Sequence, residues 1–211
     1  MTDGFAAIAA LRVVPVIAID DPAHAEPLAD ALLEGGINVV EITLRTPVAL
    51  EVIAQLSRSR PELHVGAGTV LSADDVAAVQ AAGAGFALAP GFDPAVVAAA
   101  RAAGLAFAPG VMTPSELGAA LGQGARLVKF FPAQPAGGPA MLRAIAAPFA
   151  HLGPRVIPTG GVTPQNLGEW LAVPQVVAVG GTWIARPEAM RAGHWREIAR
   201  LATEARSAAA G

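Results

Sequence analysis

The stretch Ile37–Pro47, INVVEITLRTP, joins an apolar run to a helix start, and its outline recurs along the chain. Its first part, Ile37–Thr43, is rich in β-branched side chains and predicts a buried strand. Thr46-Pro47 then has the form of a capped helix start, because a proline at the first helical position needs no intrahelical donor. The stretch therefore predicts one strand followed by one helix, which is a βα unit.

The same alternation of a short apolar segment with an Ala/Leu-rich segment occurs eight times. The predicted strands are Val13–Ile19, Ile37–Thr43, Leu63–Ala67, Phe86–Ala89, Leu105–Ala108, Leu127–Phe131, Val156–Pro158 and Val176–Val179. Helix starts are predicted near Pro22, Pro47, Ala73, Pro94, Pro114, Gly138, Pro164 and Pro187. Five starts pair a capping residue with proline: Asp21-Pro22, Thr46-Pro47, Asp93-Pro94, Thr113-Pro114 and Thr163-Pro164. Glycines that predict left-handed helix ends are Gly35, Gly83, Gly104 and Gly124.

Eight βα units predict an α/β protein with a single (β/α)8 TIM barrel, preceded by a short helix near Gly4–Ala10. A doubly wound open sheet is the alternative architecture. The sequence has no linker or break in composition, so we expect one domain over residues 1–211. In a barrel, reacting groups lie at the carboxyl ends of the strands, and this is where the unusual polar residues of the chain occur.

Composition limits the classes of function. Only 15% of the residues are charged and 54% are hydrophobic, which predicts a weakly polar surface that subunit contacts would cover. The net charge of −3 and the lack of a Lys/Arg cluster argue against nucleic acid as a partner. The chain has no cysteine, and its four histidines stand far apart without metal-ligand spacing, so we expect no metal and no thiol chemistry. We expect no membrane partner and a cytoplasmic location, because the sequence shows no secretory signal or membrane-spanning run.

Lys129 lies in the apolar run Leu127–Pro132, LVKFFP. Burial of an ammonium group favours the neutral amine, which is the nucleophile needed to form an imine with a carbonyl. Lys129 is therefore a candidate Schiff-base residue. The alternative is a lysine at a strand end whose stem packs on apolar surface while its amine reaches water.

The second predicted strand carries a carboxylate and a guanidinium on one face. Period-two alternation places Glu41, Thr43 and Arg45 together, pointing into the predicted barrel mouth. An internal Glu41–Arg45 ion pair with a purely structural role is the alternative to a catalytic Glu41. In the next strand, the small residues of Gly66–Thr69, GAGT, would let a ligand approach the backbone, and Thr69 offers a hydroxyl group.

Glycine pairs follow the last two predicted strands. The sequences are Pro158–Thr163, PTGGVT, and Val179–Trp183, VGGTW. Backbone amides and helix N-termini after these two strands commonly form the phosphate site of a barrel. Each motif alone could be a tight turn, but their joint placement favours a bound phosphate.

Together these motifs closely resemble the 2-keto-3-deoxy-6-phosphogluconate (KDPG) and 4-hydroxy-2-oxoglutarate (KHG) aldolase family of class I aldolases. The motifs that carry the resemblance are Val14–Ile17, Glu41–Thr46, Gly66–Val70, Lys129–Ala133, Pro158–Gly161 and Gly180–Trp183. The resemblance implies a homotrimeric (β/α)8 barrel that needs no cofactor or metal. It also implies cleavage of a phosphorylated keto acid to pyruvate and glyceraldehyde 3-phosphate in the Entner–Doudoroff pathway.

The resemblance assigns roles to individual positions. Lys129 matches the imine-forming lysine and Glu41 the general acid/base. Of the substrate-binding residues, Arg45 and Thr69 match those that hold the substrate carboxylate, Thr159 and Phe131 those that contact the substrate, and Gly160, Gly161, Gly181 and Thr182 those that cradle the phosphate. Thr182 replaces a serine that is common in the family and keeps its hydroxyl.

Three other functions stay open at this level. Thr159 and Ala18 resemble enzymes for the gluconate isomer, whereas relatives that act on the galactonate isomer usually carry valine and arginine there, so a phosphogalactonate aldolase is the first alternative. The others are a phosphosugar isomerase or epimerase in which Lys129 acts only electrostatically, and a binding protein for a phosphorylated ligand.

Overall fold

The computed structural model describes residues 3–210 of the chain. In that part, the strands are β1 Val13–Ile17, β2 Val39–Thr43, β3 His64–Gly68, β4 Phe86–Leu88, β5 Ala106–Ala108, β6 Gly110–Val111, β7 Leu127–Phe130, β8 Arg155–Pro158 and β9 Val179–Gly181. The α-helices are α1 Ala6–Leu11, α2 Ala25–Glu34, α3 Ala49–Ser59, α4 Ala73–Ala81, α5 Pro94–Ala102, α6 Pro114–Gly122, α7 Gly138–Ala146, α8 Leu167–Leu171, α9 Pro187–Arg191 and α10 Trp195–Ala210. Single 3-10 segments cover Asp3–Phe5, Pro22–His24 and Ala147–Leu152.

The strands are parallel but form two separate sheets. One has six strands in the order β5-β4-β3-β2-β1-β9, and the other has three in the order β6-β7-β8. Isolated bridges join Val156 to Val176 and Thr159 to Gly180 between β8 and the β9 region. The prediction of a single closed (β/α)8 barrel is therefore wrong: the protein is an α/β protein with a six-stranded parallel sheet and a separate three-stranded one.

Pro109 explains why the sheet divides after β5. It has no N–H group and stands between β5 and the short strand β6, which the sequence did not predict. Gly110 then lies so close to the preceding turn that a Cβ atom on it would meet the Pro90 carbonyl carbon at 2.2 Å. As a result β5 pairs with β4, whereas β6 pairs with β7.

The capping predictions hold at three of the five starts. Asp21 and Asp93 each accept a backbone hydrogen bond two residues on, and Thr113 forms a capping box with Glu116. Thr46 is not a cap, because its hydroxyl donates to the Ile19 carbonyl at 2.6 Å, and α3 begins only at Ala49.

At the fifth predicted start, Thr163 donates a hydrogen bond instead of accepting one as a cap would. The Thr163 N–H donates to Asn166 Oδ1 at 2.8 Å, and α8 begins at Leu167. Among the predicted left-handed helix ends, Gly83, Gly104 and Gly124 have positive φ, but Gly35 has a φ of −73° and Gly36 turns the chain instead.

Apolar side chains from the strands and the inward helix faces form one buried cluster. Every residue of β1 and β2 is buried, as expected for parallel strands covered on both faces. Four polar or charged side chains are buried among the described residues: Glu41, Thr43, Lys129 and Thr159. No helix within residues 3–210 is both long and apolar enough to cross a membrane.

Candidate active site

Lys129 and Glu41 form a buried ion pair at the centre of the site. The Lys129 Nζ atom lies 2.9 Å from Glu41 Oε1 and donates a hydrogen bond to it. Lys129 is 5% exposed and Glu41 is 1% exposed, so neither charge reaches bulk water. β7 and β2 each place their charged side chain close to the carboxyl end of the strand, as the sequence predicted.

This geometry excludes both structural alternatives for the pair. Lys129 does not extend its amine into water, because that amine bonds to a buried carboxylate. Glu41 does not pair with Arg45: the exposed Arg45 donates from Nε to Thr43 Oγ1 at 3.1 Å. Thr43 in turn donates to the Ile17 carbonyl at 3.0 Å, so it fixes the guanidinium at the rim.

The glycines of β3 make room for protein side chains. A Cβ atom on Gly68 would come within 2.1 Å of Glu41 Oε1, and one on Gly66 would come within 2.2 Å of the Phe86 ring. We had expected these small residues to admit a ligand, but the space at Gly68 is occupied by the Glu41 carboxylate. Thr69 follows with a φ of +60°, a conformation that is strained for a β-branched residue.

Phe131 lies between the lysine and the glycine turn after β8. Its ring centroid is 5.8 Å from Lys129 Nζ, within range of a cation–π interaction. The ring is half-buried, and its edge is 3.3 Å from the position that a Cβ atom on Gly160 would occupy.

Thr159 presents an unpaired hydroxyl group in the interior. The residue is 3% exposed, and its Oγ1 atom has no hydrogen-bond partner within residues 3–210. Gly180 packs against it, because a Cβ atom there would lie 2.2 Å from Thr159 Oγ1. A buried hydroxyl without a partner is costly, so this group is available to a bound molecule.

The turn after β8 is held by a residue that the sequence reasoning missed. Gly160 and Gly161 have φ values of 97° and 77°, which favour glycine. Asn166 Nδ2 donates to the Gly161 carbonyl at 3.0 Å, while its Oδ1 accepts from the Thr163 N–H. The sequence shows an asparagine three residues beyond the predicted cap at Thr163. It does not show that this side chain bonds to the Gly161 carbonyl across the turn.

The second glycine pair ends β9 beside this turn, because a bridge pairs Thr159 with Gly180. A Cβ atom on Gly181 would meet the Trp183 ring at 2.4 Å, so that glycine is needed for packing. Thr182 is exposed at the rim. The following helices α8 and α9 have only five residues each. An anion here would therefore be bound mainly by backbone amides of the turns and less by the helix N-termini.

Comparison with known proteins agrees with this geometry. The family model described as KDPG and KHG aldolase matches residues 6–201. A 2-dehydro-3-deoxy-phosphogluconate aldolase of Pseudoalteromonas atlantica is 44% identical over 199 residues, which cover 94% of this chain and 92% of the relative.

Solved structures of aldolases superimpose closely. One is KDPG aldolase of Legionella pneumophila with pyruvate captured at low pH as a covalent carbinolamine intermediate. It matches with a TM-score of 0.91 and 42% identity, and the alignment covers 96% of this chain and 97% of the Legionella chain. The Zymomonas mobilis ZM4 enzyme with 3-phosphoglycerate matches with a TM-score of 0.88 and 38% identity, and the alignment covers 97% of this chain and 95% of the Zymomonas chain. The match over nearly the whole chain, together with the buried lysine–carboxylate pair, shows that this chain belongs to the KDPG and KHG aldolase family.

Proposed function

We propose that this protein is a class I aldolase that cleaves KDPG to pyruvate and glyceraldehyde 3-phosphate through an imine on Lys129. The buried Lys129–Glu41 contact carries this proposal, since it joins an amine nucleophile to a proton acceptor away from water. The names of the aligned relatives support the same reaction. An isomerase, or a binding protein without imine chemistry, has no such support.

Imine formation needs proton transfer at the lysine nitrogen. Glu41 at 2.9 Å can take a proton from the ammonium, after which Nζ attacks the C2 carbonyl carbon and the carbonyl oxygen is protonated. The resulting carbinolamine loses water to give a protonated imine. Glu41 can return the proton that the departing hydroxyl group needs.

Cleavage then uses the imine as an electron sink. A base removes the proton of the C4 hydroxyl, the C3–C4 bond breaks, and its electron pair forms an enamine while the aldehyde leaves. Protonation of the enamine at C3 and addition of water release pyruvate and restore the amine. We assign both proton transfers to Glu41, directly or through one water molecule, because the first transfer protonates its carboxylate and the transfer to C3 regenerates it.

We assign the rim residues to substrate binding. Arg45, fixed by Thr43, and Thr69 would hold the carboxylate of the keto acid, and the free hydroxyl of Thr159 would contact the reacting carbons. Phe131 would pack on the chain of the substrate. The phosphate would bind at the two glycine turns, at Gly160, Gly161, Gly181 and Thr182.

The direct test is pyruvate release measured side by side on KDPG, its galactonate isomer and unphosphorylated KHG. We expect the highest kcat/KM on KDPG and measurable release from KHG, which the family description also includes. Thr159 supports the gluconate preference. Faster turnover of the galactonate isomer would contradict the assigned substrate, and no pyruvate from any of the three would contradict the aldolase itself.

A second prediction concerns Gly161. Replacing Gly161 with alanine places a Cβ atom 2.6 Å from Gln134 Cβ at a φ of 77°, so the turn must shift. Loss of one hydrogen bond to the phosphate costs about 1.5–3 kcal/mol, so we expect KM for KDPG to rise about 10- to 100-fold. Kinetics on KDPG and KHG in parallel measure this effect.

Gly168→Ala is the matched control, because a Cβ atom on Gly168 meets nothing within 4 Å. That variant should behave as the wild type on both substrates. Equal losses of the Gly161→Ala variant on KDPG and KHG, with circular dichroism unchanged, would show that the turn shapes the site without binding phosphate.

We also propose that the chain assembles as a homotrimer, as the low charge and the family resemblance predict. Leu71 and Met112, which are 58% and 40% exposed, follow β3 and β6 at the end that carries the site. Exposed apolar side chains of this size suit a subunit interface. The cytoplasmic location also stays a prediction from the sequence.

Light scattering at micromolar concentration tests the assembly. We expect a trimer mass for the wild type and a monomer for the Leu71→Asp/Met112→Asp variant. Leu152→Asp, which changes a leucine that is 44% exposed in a different part of the surface, is the control and should stay trimeric. A wild-type monomer would refute the proposed trimer.

A further inference from the structure

A second cavity lies at the opposite end of the strands from Lys129. It has a volume of about 460 Å³, within the range of about 300–1,000 Å³ that is usual for small-molecule sites. Arg101, Arg126, Arg155, Phe5, Phe107 and Leu127 are among its lining residues. They come from the start of β7 and of β8, from β5, and from the ends of the neighbouring helices, so this cavity is separate from the aldolase site.

The division of the sheet creates this cavity. β5 is the last strand of the six-stranded sheet, and β7 pairs with β6 and β8, so β5 and β7 are not joined by a ladder. The Lys129 N–H does donate to the Pro109 carbonyl at 2.8 Å. On the amino-terminal side of that bond, residues of β5 and the start of β7 line the cavity.

The cavity concentrates positive charge on a protein with a net charge of −3. Its lining contains three arginines and no aspartate or glutamate. Among the described side chains of residues 4–210, the guanidinium groups of Arg101 and Arg155 make no ion pair or hydrogen bond. Arg126 donates to the Leu121 and Ala125 carbonyls, both at 3.3 Å. Three arginines elsewhere in the described chain, Arg60, Arg191 and Arg200, bond to carboxylates, so their charges are already neutralised.

The interior of the cavity is apolar. Phe5 and Leu127, which line it, are buried, and Phe107 is half-buried. We propose that this cavity binds a small organic anion with an apolar body. Its carboxylate or phosphate group would bond to Arg101 and Arg155, and its body would pack against Phe107 and Leu127.

The probe for this site is 2-naphthoate, with neutral 2-naphthalenemethanol as its matched control. Both are titrated into the 15N-labelled full chain, with saturating pyruvate present to occupy the aldolase site. We expect 2-naphthoate to shift the amide signals of Gly104, Phe107 and Gly124, which line the cavity. The neutral compound, which has no charge to bond to the arginines, should bind about tenfold more weakly.

Arginine variants then test the selection of the anion. Arg101→Ala/Arg155→Ala should weaken 2-naphthoate about tenfold and leave pyruvate release from KDPG unchanged. Arg143→Ala, which removes an exposed arginine on α7 that does not line the cavity, should leave both 2-naphthoate affinity and pyruvate release unchanged. Since Arg101 is exposed, the single change Arg101→Gln keeps the test valid if the double variant folds poorly.

Three outcomes would overturn the proposal. The first is a set of 2-naphthoate shifts centred on Gly161, which would place the ligand in the aldolase site. The second is equal affinity of the charged and neutral compounds. The third is an absence of any shift at Gly104, Phe107 and Gly124 up to millimolar probe.

Discussion

Replacing Lys129 with methionine should abolish pyruvate release, with a loss of about 10⁴-fold or more, as when the nucleophile of a covalent enzyme is removed. Methionine fills a similar volume but carries no amine, so no imine can form. Lys129 is the only lysine in the sequence, and no other side-chain amine can substitute for it. The measurement is single-turnover and steady-state pyruvate release from KDPG.

Reductive trapping separates loss of chemistry from loss of substrate binding. Borohydride added with pyruvate should leave a covalent adduct on the peptide that contains Lys129, identified by mass spectrometry. The α-amino group is the only other primary amine of the chain, so an adduct has two possible places. An unmodified Lys129, or turnover that survives in Lys129→Met, would refute the imine mechanism.

A folding control is needed, because the lysine neutralises a buried carboxylate. Removing one partner of a buried ion pair commonly costs about 3–5 kcal/mol of unfolding free energy. The double variant Lys129→Met/Glu41→Gln removes both charges at once. It should recover most of the stability lost in the single variant and stay inactive, which would show that inactivity follows from the missing amine.

The positions of the site residues could be predicted because strand periodicity alone sets them. Alternation along β2 placed Glu41, Thr43 and Arg45 on one face, and the structure confirms that Thr43 contacts Arg45 while Glu41 points inward to β7. The unusual lysine in an apolar run was equally visible. Its pairing with Glu41 could be inferred only from the expectation that the carboxyl ends of the strands lie close together.

The closure of the sheet could not be predicted from periodicity. Eight apolar segments suggested eight strands in one ring, but a ring also requires continuous hydrogen bonding between every neighbouring pair. Pro109 stands between β5, which among the described strands pairs only with β4, and β6, which pairs with β7. β9 begins at Val179, whereas a strand from Val176 was predicted. Only isolated bridges remain between β8 and the β9 region.

Contacts between distant segments account for the remaining errors. Thr46 had the pattern of a helix cap, but a free carbonyl at Ile19 took its hydroxyl. Gly68 appeared to be a place for a ligand, but it makes room for Glu41. Each outcome depends on a neighbour far away in sequence, which local patterns do not specify.

Glu41→Gln should separate imine formation from carbon-centred proton transfer. The amide has the shape of the carboxylate, and its oxygen can still accept a hydrogen bond from Lys129 Nζ, which is 2.9 Å from Oε1 in the native protein. It cannot act as a general base. Because Glu41 also assists imine formation, we expect borohydride trapping on Lys129 to be reduced but retained, while exchange of the pyruvate methyl protons falls much further, by about 10²–10⁴-fold.

Deuterium exchange into pyruvate, followed by proton NMR, measures the proton transfer at carbon. The yield of the borohydride-trapped adduct measures imine formation. Glu26→Gln makes the same chemical change at a partly exposed carboxylate that pairs with Arg60 at 3.4 Å, and it should affect neither measurement. Exchange close to the wild-type rate in Glu41→Gln would mean that another group moves the proton. Glu41 would then have only a structural role. Its carboxylate would neutralise the buried charge of Lys129 and so stabilise the fold.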